Sequence, residues 1–308
     1  MGRGAGVAGL LLAALFWGGM IPLNKFQLER WDPYFLIAIR SLGAVPLLYL
    51  LMLWTDRARP RPSPVPQSRV WLFGVVGNGG FALLYTLGVK FSDPILAAII
   101  TAAAPAIAAV TDRVFFRLPF NHLMLPGIVA SAVGCTLASI DVSGGRVGGI
   151  AFGGGELLVL ASTVCWAWYS TVAQRWCPDW SQPRITFATM ATSGVAACLL
   201  YAVLMLAGEV TFPPPPPARW EESFSLAWYV VTVMVLGVVL WNAGVRAVGV
   251  VTASLYANLT PCIAILILVL LQGAEPTAQQ MLGGALVLAG IVYSEWRILA
   301  ARRQMRPI

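Results

Sequence analysis

Charged residues are scarce in this sequence. Asp, Glu, Lys and Arg make up 11% of its 308 residues, whereas soluble globular domains contain about 25%. So few charged side chains cannot cover the surface of a water-soluble protein of this length. Glycine is also limited, at 30 residues without a strict period, which excludes a collagen-like chain. With 58% apolar residues, the composition is typical of a polytopic helical membrane protein.

Residues that enzymes need are missing as well. His122 is the only histidine, so a zinc site of the His-Glu-x-x-His type is excluded. No apolar stretch has an aspartate at its centre, as an intramembrane aspartyl protease requires, and no Gly-x-x-x-x-Gly-Lys-Ser/Thr motif is present to bind ATP. The sequence therefore predicts that the protein is not an enzyme, that it uses no cofactor or metal, and that it works without an ATPase subunit.

Long apolar stretches are what the chain does contain. About 20 residues of α-helix cross the hydrocarbon core of a bilayer, and each span must be helical because lipid cannot hydrogen-bond the backbone. We predict an all-α polytopic membrane protein with ten transmembrane helices. The predicted spans are residues 7–26, 33–54, 70–89, 94–111, 122–140, 152–174, 185–207, 226–245, 250–272 and 277–296.

The basic residues indicate the orientation of these helices. Most of the 20 Lys and Arg residues fall in segments on the same side as the N-terminus, including residues 57–69 and 297–306. Cytoplasmic loops are enriched in Lys and Arg. The pattern predicts a multi-pass protein of the inner (plasma) membrane with both termini in the cytoplasm. It also accounts for the net charge of +7 without a nucleic-acid partner.

A weak internal repeat divides the chain into halves. A shift of 149 residues aligns Trp17 with Trp166, and a shift of 156 aligns several Gly and Pro positions. The pairs at the larger shift are Gly88 and Gly244, Pro105 and Pro261, Gly127 and Gly283, and Gly134 and Gly290. Each half holds five predicted spans, and because five is odd the second half enters the membrane from the opposite side. We therefore predict two inverted five-helix repeats.

The repeat predicts both the domain boundaries and a class of function. The domains are residues 1–141 for the first repeat, 142–151 for a linker, 152–298 for the second repeat and 299–308 for a basic cytoplasmic tail. Inverted repeats with a substrate site between them are a recurring design of secondary transporters.

A series of short motifs follows in a recognisable order. They are Leu15-Phe16-Trp17-Gly18, Arg40, Gly88-Val89-Lys90, Pro105, Gly244-Val245-Arg246, Asn258-Leu259-Thr260-Pro261-Cys262, Gly273-Ala274-Glu275-Pro276 and the glycine-rich residues 283–290. With these motifs the chain resembles the drug/metabolite transporter superfamily, EamA type, over residues 7–297. The aromatic amino-acid exporter branch is the most similar. One departure is Arg117-Leu118-Pro119, where the family usually has a Glu.

Charge inside the predicted spans bears on the substrate. Arg40 is the one clear case, and it either contacts a substrate carboxylate or has a structural role. No Asp or Glu lies at a span centre, which disfavours an antiporter that binds cations on a buried carboxylate. No central pair of cations is present to hold a phosphorylated substrate. The pattern favours a neutral or zwitterionic metabolite.

Aromatic and amide side chains near the middle of the spans are the candidate substrate site. Asn78 and Tyr85 share one face of the third span, and Tyr85 is the repeat equivalent of Trp241. The alternative for each residue is packing against lipid or other helices. The predicted substrate-binding residues are Trp17, Asn78, Tyr85, Thr101, Trp166, Tyr169, Trp241, Tyr256 and Asn258.

Prolines that interrupt predicted spans include Pro22, Pro105 and Pro261. Proline inside a helix kinks it. These positions are predicted hinges or gates that bend during alternating access, with static kinks as the alternative.

These observations together predict a secondary transporter that exports small neutral or zwitterionic metabolites, first of all aromatic and large apolar amino acids, by alternating access. Two alternatives remain: an exporter of another metabolite or drug class, and a membrane scaffold without a transport cycle. The expected partners are a small-molecule substrate and the lipid bilayer. The sequence does not indicate an oligomeric state.

Overall fold

The structure is a computed structural model that describes residues 2–92, 94–139, 154–272 and 276–304. Within these ranges it is built from helices and contains no strand. The predicted linker at 142–151 lies outside the described residues, as do residues 273–275 of one family motif. The last helix continues to Gln304, so most of the predicted tail is helical.

The helices are labelled in chain order. They are α1 (Arg3–Leu28), α2 (Pro33–Asp56), α3 (Gln67–Phe91), α4 (Pro94–Ala102), α5 (Ala104–Phe116), α6 (Leu125–Ser139), α7 (Gly155–Trp176), α8 (Gln182–Leu206), α9 (Trp220–Val248), α10 (Val250–Ala257), α11 (Thr260–Gln272) and α12 (Ala278–Gln304).

Among the described residues, eight helical stretches are long and apolar enough to cross a membrane. They include α1, α2, α3, α7, α8, α9 and α12, and one that joins α10 to the start of α11. A shorter apolar helix covers His122–Leu137. The chain is therefore a multi-pass helical membrane protein. The predicted spans at 94–111 and 122–140 correspond to shorter helices, because α4 ends at Ala102 and α6 has 15 residues.

Two helices contain a π-helical stretch at matching positions. The stretch in α3 is Phe73–Gly79 and the stretch in α9 is Tyr229–Gly237. Their first residues are 156 positions apart, which is the shift found in the sequence. A π stretch turns the following residues to a different face and leaves carbonyl groups with altered partners, and such stretches are frequent at functional sites.

Breaks between short helices also recur at this spacing. Ala103 separates α4 from α5, while Asn258 and Leu259 separate α10 from α11. Pro105 and Pro261 each occupy the second position of the helix that follows the break, where proline is tolerated because its missing N–H needs no partner. They begin helices rather than kinking a continuous one. Pro22 lies within α1, which continues through it.

The helices α6 and α12 approach each other closely through glycines. A Cβ atom built on Gly127 would lie 2.6 Å from the carbonyl oxygen of Gly290, and one on Gly134 would lie 2.5 Å from that of Gly283. Because the residue numbers rise on one helix and fall on the other, the two helices run antiparallel. Only glycine permits this backbone approach.

A second antiparallel pair is formed by α2 and α8. Phe35 contacts Tyr201 near one end, with ring centroids 5.8 Å apart, and Tyr49 contacts Phe187 towards the other, at 5.5 Å. A salt bridge of 2.7 Å from Arg184 to Asp56 joins the helices at that second end. The middle of the bundle is then formed mainly by α1, α3, α7 and α9.

Candidate functional site

Three tryptophans meet in the middle of the bundle. Trp17 of α1 lies 5.9 Å from Trp166 of α7 and 5.4 Å from Trp241 of α9, measured between ring centroids. Trp166 and Trp241 are 5.6 Å apart. All three are predicted substrate-binding residues, and the structure brings them into mutual contact.

Further aromatic rings extend this group. Phe81 lies 4.8 Å from Trp166 and 5.6 Å from Tyr85, and Tyr169 lies 5.3 Å from Trp166. Phe81 was not among the predicted site residues, although it is on the same face of α3 as Tyr85. We refer to Trp17, Phe81, Tyr85, Trp166, Tyr169 and Trp241 as the aromatic cluster.

Members of the aromatic cluster differ in how accessible they are. Trp241 is 1% exposed and Tyr169 is fully buried. The Trp241 indole N–H donates to Ser170 Oγ at 2.9 Å, and the Tyr169 hydroxyl accepts from Asn242 Nδ2 at 2.9 Å. Trp17, Phe81, Tyr85 and Trp166 keep part of their surface exposed. These four rings keep accessible surface, and the two buried rings both contact Trp166.

The position of Trp17 depends on the π stretch in α9. Its indole N–H donates to the carbonyl oxygen of Val233 at 3.4 Å, and Val233 lies inside that stretch. Gly237 ends the stretch, and a Cβ atom there would lie 2.7 Å from Trp17 Nε1. The missing side chain at Gly237 therefore makes room for the indole.

Asn242 is a buried residue that the sequence analysis did not identify. Its Nδ2 also donates to Thr186 Oγ1 at 3.2 Å, and its backbone carbonyl oxygen accepts from Gln174 Nε2 at 3.2 Å. It thus joins α9 to α7 and α8 behind Tyr169. The sequence signal for Asn242 was its position next to Trp241 within an apolar span. An amide buried there needs hydrogen-bond partners.

Asn78 connects α3 to α8. It is 6% exposed, and its Nδ2 donates to Ser193 Oγ at 2.9 Å and lies 3.5 Å from the sulfur of Met190. Both contacts hold the π stretch of α3 against α8. This predicted site residue is engaged with the protein itself.

Asn258 occupies the break between α10 and α11. Its Nδ2 donates to the carbonyl oxygen of Ala102 at 2.9 Å and to Ser131 Oγ at 3.0 Å. Thr101, beside Ala102, is exposed and donates to its own helix at Ala97. Tyr256 is 4% exposed and belongs to the same hydrophobic core as Trp241. These predicted residues surround the helix breaks.

Arg40 is the charged residue that the sequence placed inside a span, and it lies within α2. It is 7% exposed, and its guanidinium lies over the ring of Tyr229, 3.9 Å from the centroid. It donates to Gln27 Oε1, and Gln27 Nε2 donates to Ser225 Oγ at 3.0 Å. We call Gln27, Arg40, Ser225 and Tyr229 the arginine network. Gln27 was missed because the first predicted span ended at residue 26, whereas α1 continues to Leu28.

A cleft of about 320 Å³ opens at the opposite end of α1. It is bordered by Arg3, Asp112, Phe120, Gly249 and Ile298, among others. Arg3 forms a salt bridge of 2.7 Å with Glu295, and Asp112 accepts from Thr171 Oγ1 at 2.6 Å. At 1.5 Å per residue, Trp17 lies about 21 Å along α1 from Arg3 and about 15 Å from Gln27. The aromatic cluster therefore lies between the cleft and the arginine network.

The loop after α7 is fixed by an arginine from α9. Arg246 donates to Gln174 Oε1 at 2.7 Å and to the carbonyl oxygens of Trp180 at 2.9 Å and Cys177 at 3.1 Å. Burial raises the pKa of the Cys177 thiol to about 11, and the nearby Arg246 charge offsets part of that effect. No group of three or more His, Cys, Asp or Glu among the described residues is placed to hold a metal ion.

Comparison with known proteins gives the family. The model of the EamA-like transporter family matches residues 4–140 and 153–295. An uncharacterized transporter of Bacillus subtilis, YyaM, is 24% identical to this chain. The alignment covers 92% of this chain and 91% of YyaM. The aromatic amino acid exporter YddG of Ancylobacter novellus is 25% identical to this chain. That alignment covers 76% of this chain and 77% of YddG.

Two further similarities cover nearly the whole chain. A protein of Streptantibioticus cattleyicolor named "Probable terminal-alkyne amino-acid exporter" is 24% identical over 96% of this chain and 95% of its own length. A solved crystal structure superposes with a TM-score of 0.75 at 19% identity, covering 99% of this chain and 100% of the other, and so has the same fold. Since the family model matches both halves of the sequence, the chain belongs to the EamA-like transporter family.

Proposed function

We propose that this protein is a secondary transporter that exports aromatic and other large apolar amino acids across the inner (plasma) membrane by alternating access, with both termini in the cytoplasm. The observation that carries the proposal is a group of four partly exposed rings contributed by α1, α3 and α7. They are Trp17, Phe81, Tyr85 and Trp166, and they lie at the level of the middle of α1. Aromatic rings favour stacked or edge-on contacts with other rings, so such a group suits a substrate with an apolar or aromatic side chain.

The charge around these rings agrees with a substrate of no net charge. Ser170, Asn242 and the Val233 carbonyl hydrogen-bond the cluster, and all three groups are neutral. A phosphorylated substrate would require several cations close by. Two relatives are named as exporters of amino acids, one of aromatic amino acids and one of terminal-alkyne amino acids. Their names support the substrate class proposed here.

The proposal includes ten membrane-spanning helices in two inverted repeats. In this arrangement α4 with α5, and α10 with α11, each form one broken span. Four observations support it: the π stretches begin 156 residues apart, the helix breaks share that spacing, the glycines of the α6 and α12 contact are related by it, and the family model matches each half. The antiparallel pairing of α6 with α12 also agrees with inversion.

Alternating access needs places where helices can bend and ends that can open. The breaks beside Pro105 and Pro261 supply short helices that can tilt independently, in the manner of the discontinuous helices of other transporters. The cleft beside Arg3 and the arginine network at Arg40 lie at opposite ends of α1. We propose that opening alternates between these two ends.

Flux into vesicles tests the proposal directly. Purified protein reconstituted in lipid vesicles should move phenylalanine, tryptophan and leucine in a saturable manner. Vesicles without protein and a phosphorylated sugar serve as controls. An imposed pH gradient distinguishes proton-coupled transport from facilitated diffusion. Movement of the phosphorylated sugar without any amino acid would contradict the substrate, and unsaturable flux would indicate a channel.

A further inference from the structure

We propose that Arg40 binds the carboxylate of the transported substrate, so that the substrate class is a carboxylate with an apolar or aromatic side chain. This inference rests on the proposed transport function and deepens it. It assigns the charged group of the substrate to the arginine network, and its apolar group to the aromatic cluster.

The first support is a buried charge without a counterion. Arg40 is 7% exposed, and among the described residues no carboxylate forms a salt bridge with it. Its known partners are the Gln27 amide and the Tyr229 ring, both of which are uncharged. A buried guanidinium is costly unless an anion is paired with it. An anionic ligand would remove this cost while it is bound.

The second support is a free hydrogen-bond donor. The Nε atom of Arg40 is buried and has no hydrogen-bond partner among the described residues. Arginine binds carboxylates with two parallel N–H···O bonds, and its planar guanidinium favours this over a single contact. A purely structural tie between α1 and α2 would need only the bond to Gln27. The unused donor indicates that the guanidinium has a second acceptor to bind.

A buried acid three residues before Ser225 already has other partners. Glu222, in the first turn of α9, is 5% exposed and accepts from the Ala218 backbone N–H at 2.7 Å. It also lies 3.8 Å from Arg30 and 3.7 Å from Arg219. Glu222 therefore balances two other arginines, and its carboxylate does not neutralise Arg40.

Tyr229 places this charge next to the aromatic cluster. It is the first residue of the π stretch in α9 and carries the Arg40 guanidinium on its ring. Val233, four residues further along the same stretch, accepts the indole N–H of Trp17, and Trp17 contacts Trp166. A ligand with a carboxylate on Arg40 can thus extend its side chain along this stretch towards Trp17 and Trp166. This arrangement fits an amino acid with a ring.

Two ligands with the same phenyl ring test the inference. 3-Phenylpropionate has the carboxylate without the ammonium group, and phenethylamine has the ammonium group without the carboxylate. We expect the purified wild-type protein to be thermally stabilised by 3-phenylpropionate at concentrations at least tenfold lower than by phenethylamine. Arg40→Gln should raise the half-saturating concentration of 3-phenylpropionate at least tenfold and abolish the preference. Arg57→Gln, which removes an exposed arginine, is the matched control and should keep both values.

Arg40→Lys keeps the charge but loses the planar guanidinium, and it decides the matter if Arg40→Gln does not fold. It should bind 3-phenylpropionate more weakly than the wild type and still prefer it to phenethylamine. Equal binding of the two ligands by the wild type, or an unchanged affinity in both variants, would overturn the inference. Flux is measured separately from binding. Carboxylate binding that depends on Arg40, without amino-acid export, would contradict only the proposed function. Export that does not depend on the carboxylate of the substrate would contradict only this inference.

Discussion

Asn258 donates a hydrogen bond of 2.9 Å to the carbonyl oxygen of Ala102, and the two residues are 156 positions apart. This number is also the shift that aligns the two halves of the sequence. Equivalent positions of two symmetry-related copies can touch each other only beside the axis that relates the copies. The contact therefore supports an axis that passes between the two helix breaks, at the level of Asn258.

Replacing Asn258 should weaken the protein at this point. Asn258→Ala would leave the Ala102 carbonyl and Ser131 without their shared donor, and a buried group that loses its partner costs about 1–3 kcal/mol. We expect a clearly lower midpoint of thermal unfolding in detergent. Thr101→Val is the control, because Thr101 is exposed and its hydroxyl donates to Ala97 of its own helix. A midpoint equal to that of the control would contradict the role given to Asn258.

Trp17→Ala should reduce amino-acid flux at least tenfold while the protein remains folded. The substitution removes the ring that contacts both Trp166 and Trp241. Flux into vesicles and the elution profile of the purified variant measure the two effects separately. Leu11→Ala on the same helix is the control, because Leu11 is 45% exposed and should transport normally. Normal flux in Trp17→Ala would remove the aromatic cluster from the substrate path.

Gly237→Ala should displace the same Trp17 ring. The new Cβ atom would lie 2.7 Å from Trp17 Nε1, so the indole has to move. We expect a several-fold loss of flux with little loss of folded protein, since overpacking typically costs about 1–3 kcal/mol. Gly19→Ala is the matched control, because its Cβ would meet its nearest neighbour, Ile267, at an ordinary 3.9 Å. Equal flux in the two variants would contradict the indole position described above.

Cys177 should resist thiol reagents at neutral pH. The thiolate is the reactive form, and with a pKa of about 11 only about one thiol in a thousand is ionised at pH 8. In a variant whose only cysteine is Cys177, maleimide labelling should be slow at pH 8 and faster as the pH rises towards 11. Asp179→Cys without Cys177 is the exposed control. Rapid labelling of Cys177 in the folded protein at pH 8 would contradict its burial.

The aromatic contacts could be predicted from the sequence because they depend on depth within the spans. Trp17 and Trp166 lie near the middle of α1 and α7, so ordinary helical geometry places them at one level of the membrane. Trp241 lies nearer the end of α9, and the signal for it was its repeat relation to Tyr85. The family motifs and apolar runs also predicted a multi-pass transporter of the EamA type, which the family match confirms.

Other parts of the site could not be predicted, for identifiable reasons. The partner of Arg40 was missed because the end of α1 was placed before Gln27. Tyr229 was missed because it begins a π stretch, and the spacing rule for α-helices does not apply there. Pro105 and Pro261 were expected to kink continuous helices, whereas they begin new ones. Boundaries and irregular turns depend on tertiary contacts that residue spacing does not record.

The paired π stretches have a consequence for the history of the protein. A duplication copies irregularities along with everything else, so on the proposed arrangement the extra residues in α3 and α9 were already present in a single ancestral gene. On the same arrangement, that ancestor encoded five helices and inserted into membranes in both orientations to form a symmetric pair. The proposed bias of basic residues that orients each half would then have arisen after the two genes fused.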